Sequence, residues 1–301
     1  MHTRILVALD GSASAEHALP AAAALSRLTH APIDLVRVHE VSPSACLTPG
    51  RWDEMSRRHE LEGLRATAAR LLASGASTVD VALVDGPAPD AILREIAQRG
   101  TDLVLMTDRG RSPSRSKCLG SVSRSVVRHA HVPVLMMRAR DYQADLSHGP
   151  IFRNVLLAVD DPESDTELLG QAAELGRLGG GCRLWQTAEQ SVKPLYPHTY
   201  AAPPAMCPGH AYSRQSGGSE QPSQCGWPIT NGIVPDATRV EIVVKEDPAV
   251  ATLRAIAANT FDLVAIPGHS DSSRLGIGGL FQRVASASRV PIFICPTSTT
   301  S

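Results

Sequence analysis

The chain has 301 residues, 43% of them apolar but only 4% aromatic, and its 29 Lys and Arg nearly cancel 30 Asp and Glu. That length allows two domains with cores built from Ala, Val, Leu and Ile, and the balanced charge excludes the broad positive field of a dedicated nucleic-acid binder. No apolar run approaches the ~20 residues of a membrane-spanning helix, so no membrane span is expected.

The N-terminus runs Met1-His2-Thr3-Arg4 directly into Ile5-Leu6-Val7-Ala8-Leu9, which reads as a first strand and not as a signal-peptide core. Strand patterns follow at Ile33 to Val38, Val79 to Val84, Leu103 to Met106 and Val132 to Met137. Helical patterns alternate with them at Ala13 to Leu28, Asp53 to Ser74, Pro89 to Arg99 and Ser121 to Ala130. Such alternation gives βαβ units and a parallel sheet with helices on both faces. Ligands on such sheets bind beyond the carboxyl ends of the strands, where Asp10 and Gly110 both fall.

Between the fourth strand and the next helix lies Gly110-x9-Gly120-Ser121. A glycine that lets backbone approach a phosphate, followed by a helix N-terminus with free N–H groups, is a physically sufficient anion site. The same residues also have a plain structural reading, as a turn glycine and a serine N-cap. Asp10 likewise reads either as a ligand contact or as a cap for the helix near Ala13. Arg109, Arg111, Arg115 and Lys117 make the loop basic, which suits phosphates or a solvated surface. Cys118 shares the loop without a His and Asn constellation to activate it.

The chain then repeats itself. Arg4 to Asp10 matches Asn154 to Asp160, Pro87 to Val104 matches Pro248 to Val264, and Val132-Pro133-Val134-Leu135-Met136 matches Val290-Pro291-Ile292-Phe293-Ile294. Two homologous domains are expected, 1–141 and 151–297, with Ser147-His148-Gly149-Pro150 breaking the pattern between them. In place of the first repeat's long second helix, the second has Ser191 to Asp236, rich in Pro, Gly and Ser, which reads as an irregular insertion. Within it Cys207, His210, Cys225 and His198 match no zinc-ligand spacing, so no metal is assigned. The six scattered cysteines, without paired spacing or an export signal, indicate a reduced cytoplasm.

With Val7-Ala8-Leu9-Asp10-Gly11-Ser12, Val36-Arg37-Val38, Gly110-x9-Gly120-Ser121 and Val132-Pro133-Val134-Leu135-Met136, the first repeat resembles a universal stress protein domain, and the whole chain resembles the tandem form of that family. The resemblance implies two Rossmann-like domains of the adenine nucleotide alpha hydrolase type, each a five-stranded parallel sheet with helices on both faces. It implies a regulatory ATP-binding module, with Mg2+ accompanying the nucleotide, that acts through conformation or an unknown protein partner. The family's nucleotide-binding pattern is G-x2-G-x9-G-S/T. Gly110, Gly120 and Ser121 match it, while Thr107 stands at the first glycine. By resemblance, Asp10 and Val38 would contact adenosine, Gly110, Gly120, Ser121 and Val122 would surround the phosphates, and Ala8, Leu9, Met106 and Thr107 would complete the cofactor-binding residues. The terminal strands of both repeats would lie at the family's dimer contact, which makes the chain a pseudo-dimer of its own two domains or half of a homodimer.

The second repeat departs from the pattern. Gly268-x9-Gly278-Gly279 replaces the serine by glycine, Gly268 follows its strand more closely, and Asp160 is followed by Asp161-Pro162. A second carboxylate repels a triphosphate, so this site is expected to be weak or empty. Two other classes remain open. One is an interaction module of the same fold without a ligand, which Thr107 and the altered second repeat favour. The other is a nucleotidyl transferase-like enzyme, which requires a catalytic His or Lys at a strand-to-helix turn that the sequence does not supply. The chain contains no G-x4-G-K-S/T, H-E-x2-H, G-x-S-x-G or CxxC, so turnover chemistry is not expected.

Overall fold

A computed structural model of the chain describes residues 3–39, 51–110, 119–139, 144–146, 152, 154–158, 166–178, 183–189, 239–245, 252–253, 256–257, 261–268 and 280–296. The expected insertion 191–236, the basic residues Arg111, Arg115 and Lys117, Cys118, Asp160, Asp161 and Gly278-Gly279 lie outside these residues. Contacts divide the chain into two compact units, Met1–Ile151 with Gly268–Ser301, and Phe152–Pro267.

In the first unit, β1 (Ile5–Leu9) is flanked by β2 (Ile33–His39) and β4 (Leu103–Thr107). β3 (Val79–Asp85) and β5 (Val134–Met137) complete five parallel strands in the order β3-β2-β1-β4-β5. β1, β4 and β5 are buried along their whole length, as strands covered on both faces must be. β3, at the edge, is only half-buried. The last strand of the chain, which we label β10 (Ile292–Pro296), joins this unit by pairing antiparallel with β5, Phe293 opposite Leu135. Phe293, Leu135 and Met136 are fully buried there, so each repeat's terminal Val-Pro strand is a core strand.

The helices depart from the sequence pattern where proline dictates. The run expected as one helix from Ala13 splits into a 3-10 turn, Ala15–Ala18, and α1 (Leu19–Thr29). Pro20, near the start of α1, has no N–H to give to the preceding turn and is suited to a helix's first positions. Pro89 plays the same part in α3 (Ala88–Arg99), and Pro133 delays β5 to Val134. α2 (Arg51–Ala73) packs on β2 and β3, and α3 packs on β2 and on α4 (Ser121–His129).

The second unit repeats the plan. β6 (Asn154–Ala158) leads to α5 (Thr166–Leu178), then β7 (Arg183–Glu189) and β8 (Arg239–Lys245). β9 (Leu263–Gly268) pairs with β6 to give four parallel strands in the order β9-β6-β7-β8. The helix α6 (Leu280–Ala287) and β10 follow and cluster with the first unit.

One device opens both repeats. The carboxylate of Asp102, just before β4, accepts the N–H groups of Thr3 at 2.5 Å and Arg4 at 3.1 Å. Asp262 before β9 accepts the N–H of Asn154 at 2.9 Å. In each unit a carboxylate thus fixes where the first strand enters the sheet. Beside it, Asp34 is 1% exposed and is held by Arg4 Nε at 2.6 Å and Arg99 Nη1 at 2.8 Å. Removing a buried partner from such a group leaves charge uncompensated. Asp34→Ala is therefore expected to destabilise the protein by about 2–4 kcal/mol in urea unfolding. A change below about 0.5 kcal/mol, the scale of an ordinary surface substitution, would show that these ion pairs contribute nothing.

Candidate functional site

The strand order places the reversal between β1 and β4, and it is there that the expected residues meet. Ala8 and Leu9 end β1, paired with Val36 and Arg37 of β2, and Asp10 follows directly. Val38 is buried near the carboxyl end of β2, and Met106 and Thr107 are buried at the end of β4. The Asp10 carboxylate lies so close to Gly110 that a Cβ at Gly110 would overlap its Oδ2. The glycine of the loop thus lets the aspartate of the first strand approach closely, and a side chain there would displace the Asp10 carboxylate. That contact joins two segments separated in sequence by most of the unit.

Asp10 also organises its own turn. Its Oδ1 accepts the Ser12 N–H at 2.9 Å and the Ser12 hydroxyl at 2.6 Å, and Ser12 Oγ accepts the Ala15 N–H at 3.1 Å. Ser14 is the N-cap of the following turn and makes no side-chain cap bond, so neither Asp10 nor Ser12 is the cap; Asp10 instead holds Ser12, which receives the Ala15 N–H. Gly11 between them has φ +82°, a conformation open to glycine, and a side chain there would strike the Arg37 guanidinium.

The far end of the loop is set by Gly120, whose N–H donates to Asp108 O at 2.9 Å. Gly120 itself is the N-cap of α4, and Ser121 is the first helical residue, a correction to the serine-cap reading. Among the described residues no side chain caps this N-terminus, so the first N–H groups of α4 keep their donors for another acceptor. Val122, expected on the apolar face, is only half-buried. Ser123 takes the buried position and donates its hydroxyl to Thr107 O at 2.9 Å. Thr107 donates its own hydroxyl to Arg109 O at 2.8 Å and does not adopt positive φ. The threonine therefore restrains the loop through a hydrogen bond and imposes no backbone strain.

Sequence patterns did not reveal the polar network behind β2. His39, 3% exposed, contacts Glu60 Oε2 through Nδ1 at 2.7 Å and Asp53 Oδ1 through Nε2 at 2.8 Å. Arg37 Nη2 donates to the other oxygen of Glu60 at 2.9 Å. Both ring nitrogens face carboxylates, and only the imidazolium donates from both. Burial disfavours that charge, but the hydrogen bonds and charges of Asp53 and Glu60 outweigh it and raise the His39 pKa above its ordinary value. The signal available in sequence was only a histidine ending a buried strand. Its partners lie on α2, and nothing in the spacing pairs them.

A groove of ≈ 530 Å³ elsewhere runs between the C-terminal ends of α3 and α4, lined by Leu93, Ile96, Thr101 and Val132. It lies at the amino ends of β4 and β5, away from Asp10 and both glycines. In the second repeat, Gly268 is the last residue of β9, where a Cβ would come 3.0 Å from Cys295 O. That glycine is explained by close packing against β10.

The profile of the universal stress protein family matches residues 1–138. A universal stress protein of Thermus aquaticus is 34% identical over 139 residues, covering 46% of this chain and 100% of the relative. A universal stress protein of Mycobacterium tuberculosis is 26% identical over 313 residues, covering 98% of this chain and 97% of the relative. Among solved structures, a universal stress protein from Archaeoglobus fulgidus superposes with TM-score 0.68 at 19% identity, covering 99% of this chain and 97% of that one.

The raised pKa of His39 carries a sign. A group whose folded value is raised stabilises fully below its unfolded value and loses that contribution as pH rises through the folded value. The stability advantage of the protein over its His39→Gln variant is expected to shrink as pH rises from about 6 toward about 8. Thermal melts across that range, with NMR titration of the His39 ring, check this. A His39 midpoint below about 6.5 would contradict it.

Proposed function

The chain belongs to the universal stress protein family, and from that premise we propose that its first repeat is a regulatory ATP-binding module that acts through conformation or protein contacts. The observation that carries this reading is the contact of the Asp10 carboxylate with Gly110 at the reversal between β1 and β4. Close by, Gly120 leaves the N-terminus of α4 without a side-chain cap. Triphosphate oxygens fit the N–H groups of Ser121 and Val122, with the Ser121 hydroxyl as a further donor and Gly120, whose own N–H is held by Asp108 O, at the turn beside them. Ala8, Leu9, Asp10 and Val38 flank the adenosine, while Met106, Thr107 and Gly110 line the approach. Mg2+ would neutralise part of the phosphate charge.

Magnitudes decide how the site works. A helix terminus contributes only ~0.3–2 kcal/mol to anion binding, whereas micromolar affinity requires about 8 kcal/mol. The apolar end around Val38 must supply much of the rest. The restraint of Thr107 on Arg109 O, together with the altered second repeat, favours the ligand-free interaction module instead. The output is binding and not turnover, since the sequence pairs no nucleophile with a base at this loop.

In this reading the domains are 1–141 and 151–297, in the cytoplasm, and the second is a degenerate partner. The antiparallel pairing of β5 with β10 joins the terminal strands of the two repeats. It supports a pseudo-dimer built within one chain, a protein partner then being recognised by that assembly.

Mass spectrometry of nucleotide released from protein purified without added ligand tests the proposal, together with thermal-shift titration by Mg-ATP. Bound adenine nucleotide, or ATP-dependent stabilisation of about 2.7 kcal/mol at a hundredfold excess over Kd, is expected. Absence of both at millimolar ATP favours the interaction module. Gly120→Val is expected to abolish the shift and Gly278→Val to leave it nearly intact. Equal loss from both would mean that the second repeat also binds.

A further inference from the structure

Beneath the phosphate loop, within the first unit, lies a cavity of ≈ 210 Å³ bordered by Asp108, Arg109, Arg138, Ser286, Ser288 and Arg289. Arg138 is 8% exposed. Its Nε donates to Val290 O at 3.1 Å, and its Nη1 donates to Ala285 O at 2.8 Å and Asp108 Oδ2 at 3.1 Å. Its Nη2 is buried with no hydrogen-bond partner among the described residues. A guanidinium carries five donors, and an unmet buried donor on a charged group is costly.

The charges around the cavity do not balance. Among the described residues that line it, three guanidinium groups accompany one carboxylate, and Asp108 Oδ1 is already committed to the Ala139 N–H at 2.8 Å. Arg109 Nε lies 3.7 Å from the remaining oxygen, and Arg289 is exposed with no ion pair recorded among the described residues. The cavity is smaller than the ~300–1,000 Å³ of cofactor-sized sites. A purely structural Arg138, tying β5 to the segment before β10, accounts for its two carbonyl bonds. It does not account for the open donor or for the two further arginines.

We propose that this cavity is a second anion site, separate from the nucleotide crevice, that takes a free tetrahedral oxyanion such as inorganic phosphate. The anion accepts from the Arg138 edge, Arg109 and Arg289, with charge assistance on each bond. Asp108 links it to the loop. The same residue that holds Arg138 through its side chain holds the Gly120 N–H through its carbonyl. An occupant that draws Arg138 from Asp108 therefore acts on the segment carrying Gly110 and Gly120.

Titration of the full chain with sodium phosphate at constant ionic strength, followed by calorimetry with sodium chloride as control, tests this without reference to ATP. Saturable 1:1 binding is expected in the parent protein and in Gly120→Val, which disables the phosphate loop. Arg138→Gln is expected to weaken it at least about tenfold. Arg289→Ala, which breaks no recorded structural bond, is expected to weaken it about threefold, so that the test survives if the Arg138 variant fails to fold. The proposal is overturned if phosphate does not saturate the parent protein, if Gly120→Val abolishes binding, or if Arg289→Ala leaves it unchanged.

Discussion

Parallel pairing of β1 with both β2 and β4 is the constraint on which the first unit rests. A central strand buried on both faces must satisfy every backbone group through its two neighbours, and β1 does so with β2 on one side and β4 on the other. That pairing forces the chain to build outward in two directions from β1. It brings Asp10 and Gly110 together at the carboxyl ends of β1 and β4. The carboxylates of Asp102 and Asp262 fix the entry of the first strand in each unit. A shared register at one end therefore positions the chemistry at the other.

The loop after β4 is held from three directions. Asp10 approaches Gly110, Thr107 holds Arg109, and Asp108 binds Gly120 through its carbonyl and Arg138 through its carboxylate. These contacts tie Arg109, Gly110 and Gly120 to the ends of β1, β4 and β5. Arg138 extends the network to Ala285 and Val290. Burial pushes its guanidinium pKa down while Asp108 opposes that shift, so the pair acts as one electrostatic unit.

The charges behind β2 have a different role. Arg37, His39, Glu60 and Asp53 link the end of a buried strand to α2, and Arg37 also covers the backbone of Gly11. Protonation of His39 belongs to the same pH range in which histidine commonly responds.

Alternating apolar runs, the repeat and the glycine spacing were enough to place five strands and four helices of the first unit and to assign the family. These features are local or periodic, and burial on a parallel sheet leaves a continuous apolar run that composition alone exposes. Proline positions were visible too, but their effect on the start of α1 depends on the turn before it. The sequence could not show that Gly110 lies against Asp10, or that Ser123, buried where Val122 was expected, donates to Thr107 O. Nor could it pair His39 with Glu60 or Arg138 with Asp108. Those relations join residues far apart in the chain, and only the strand order and the packing of helices on the sheet bring them within hydrogen-bonding reach.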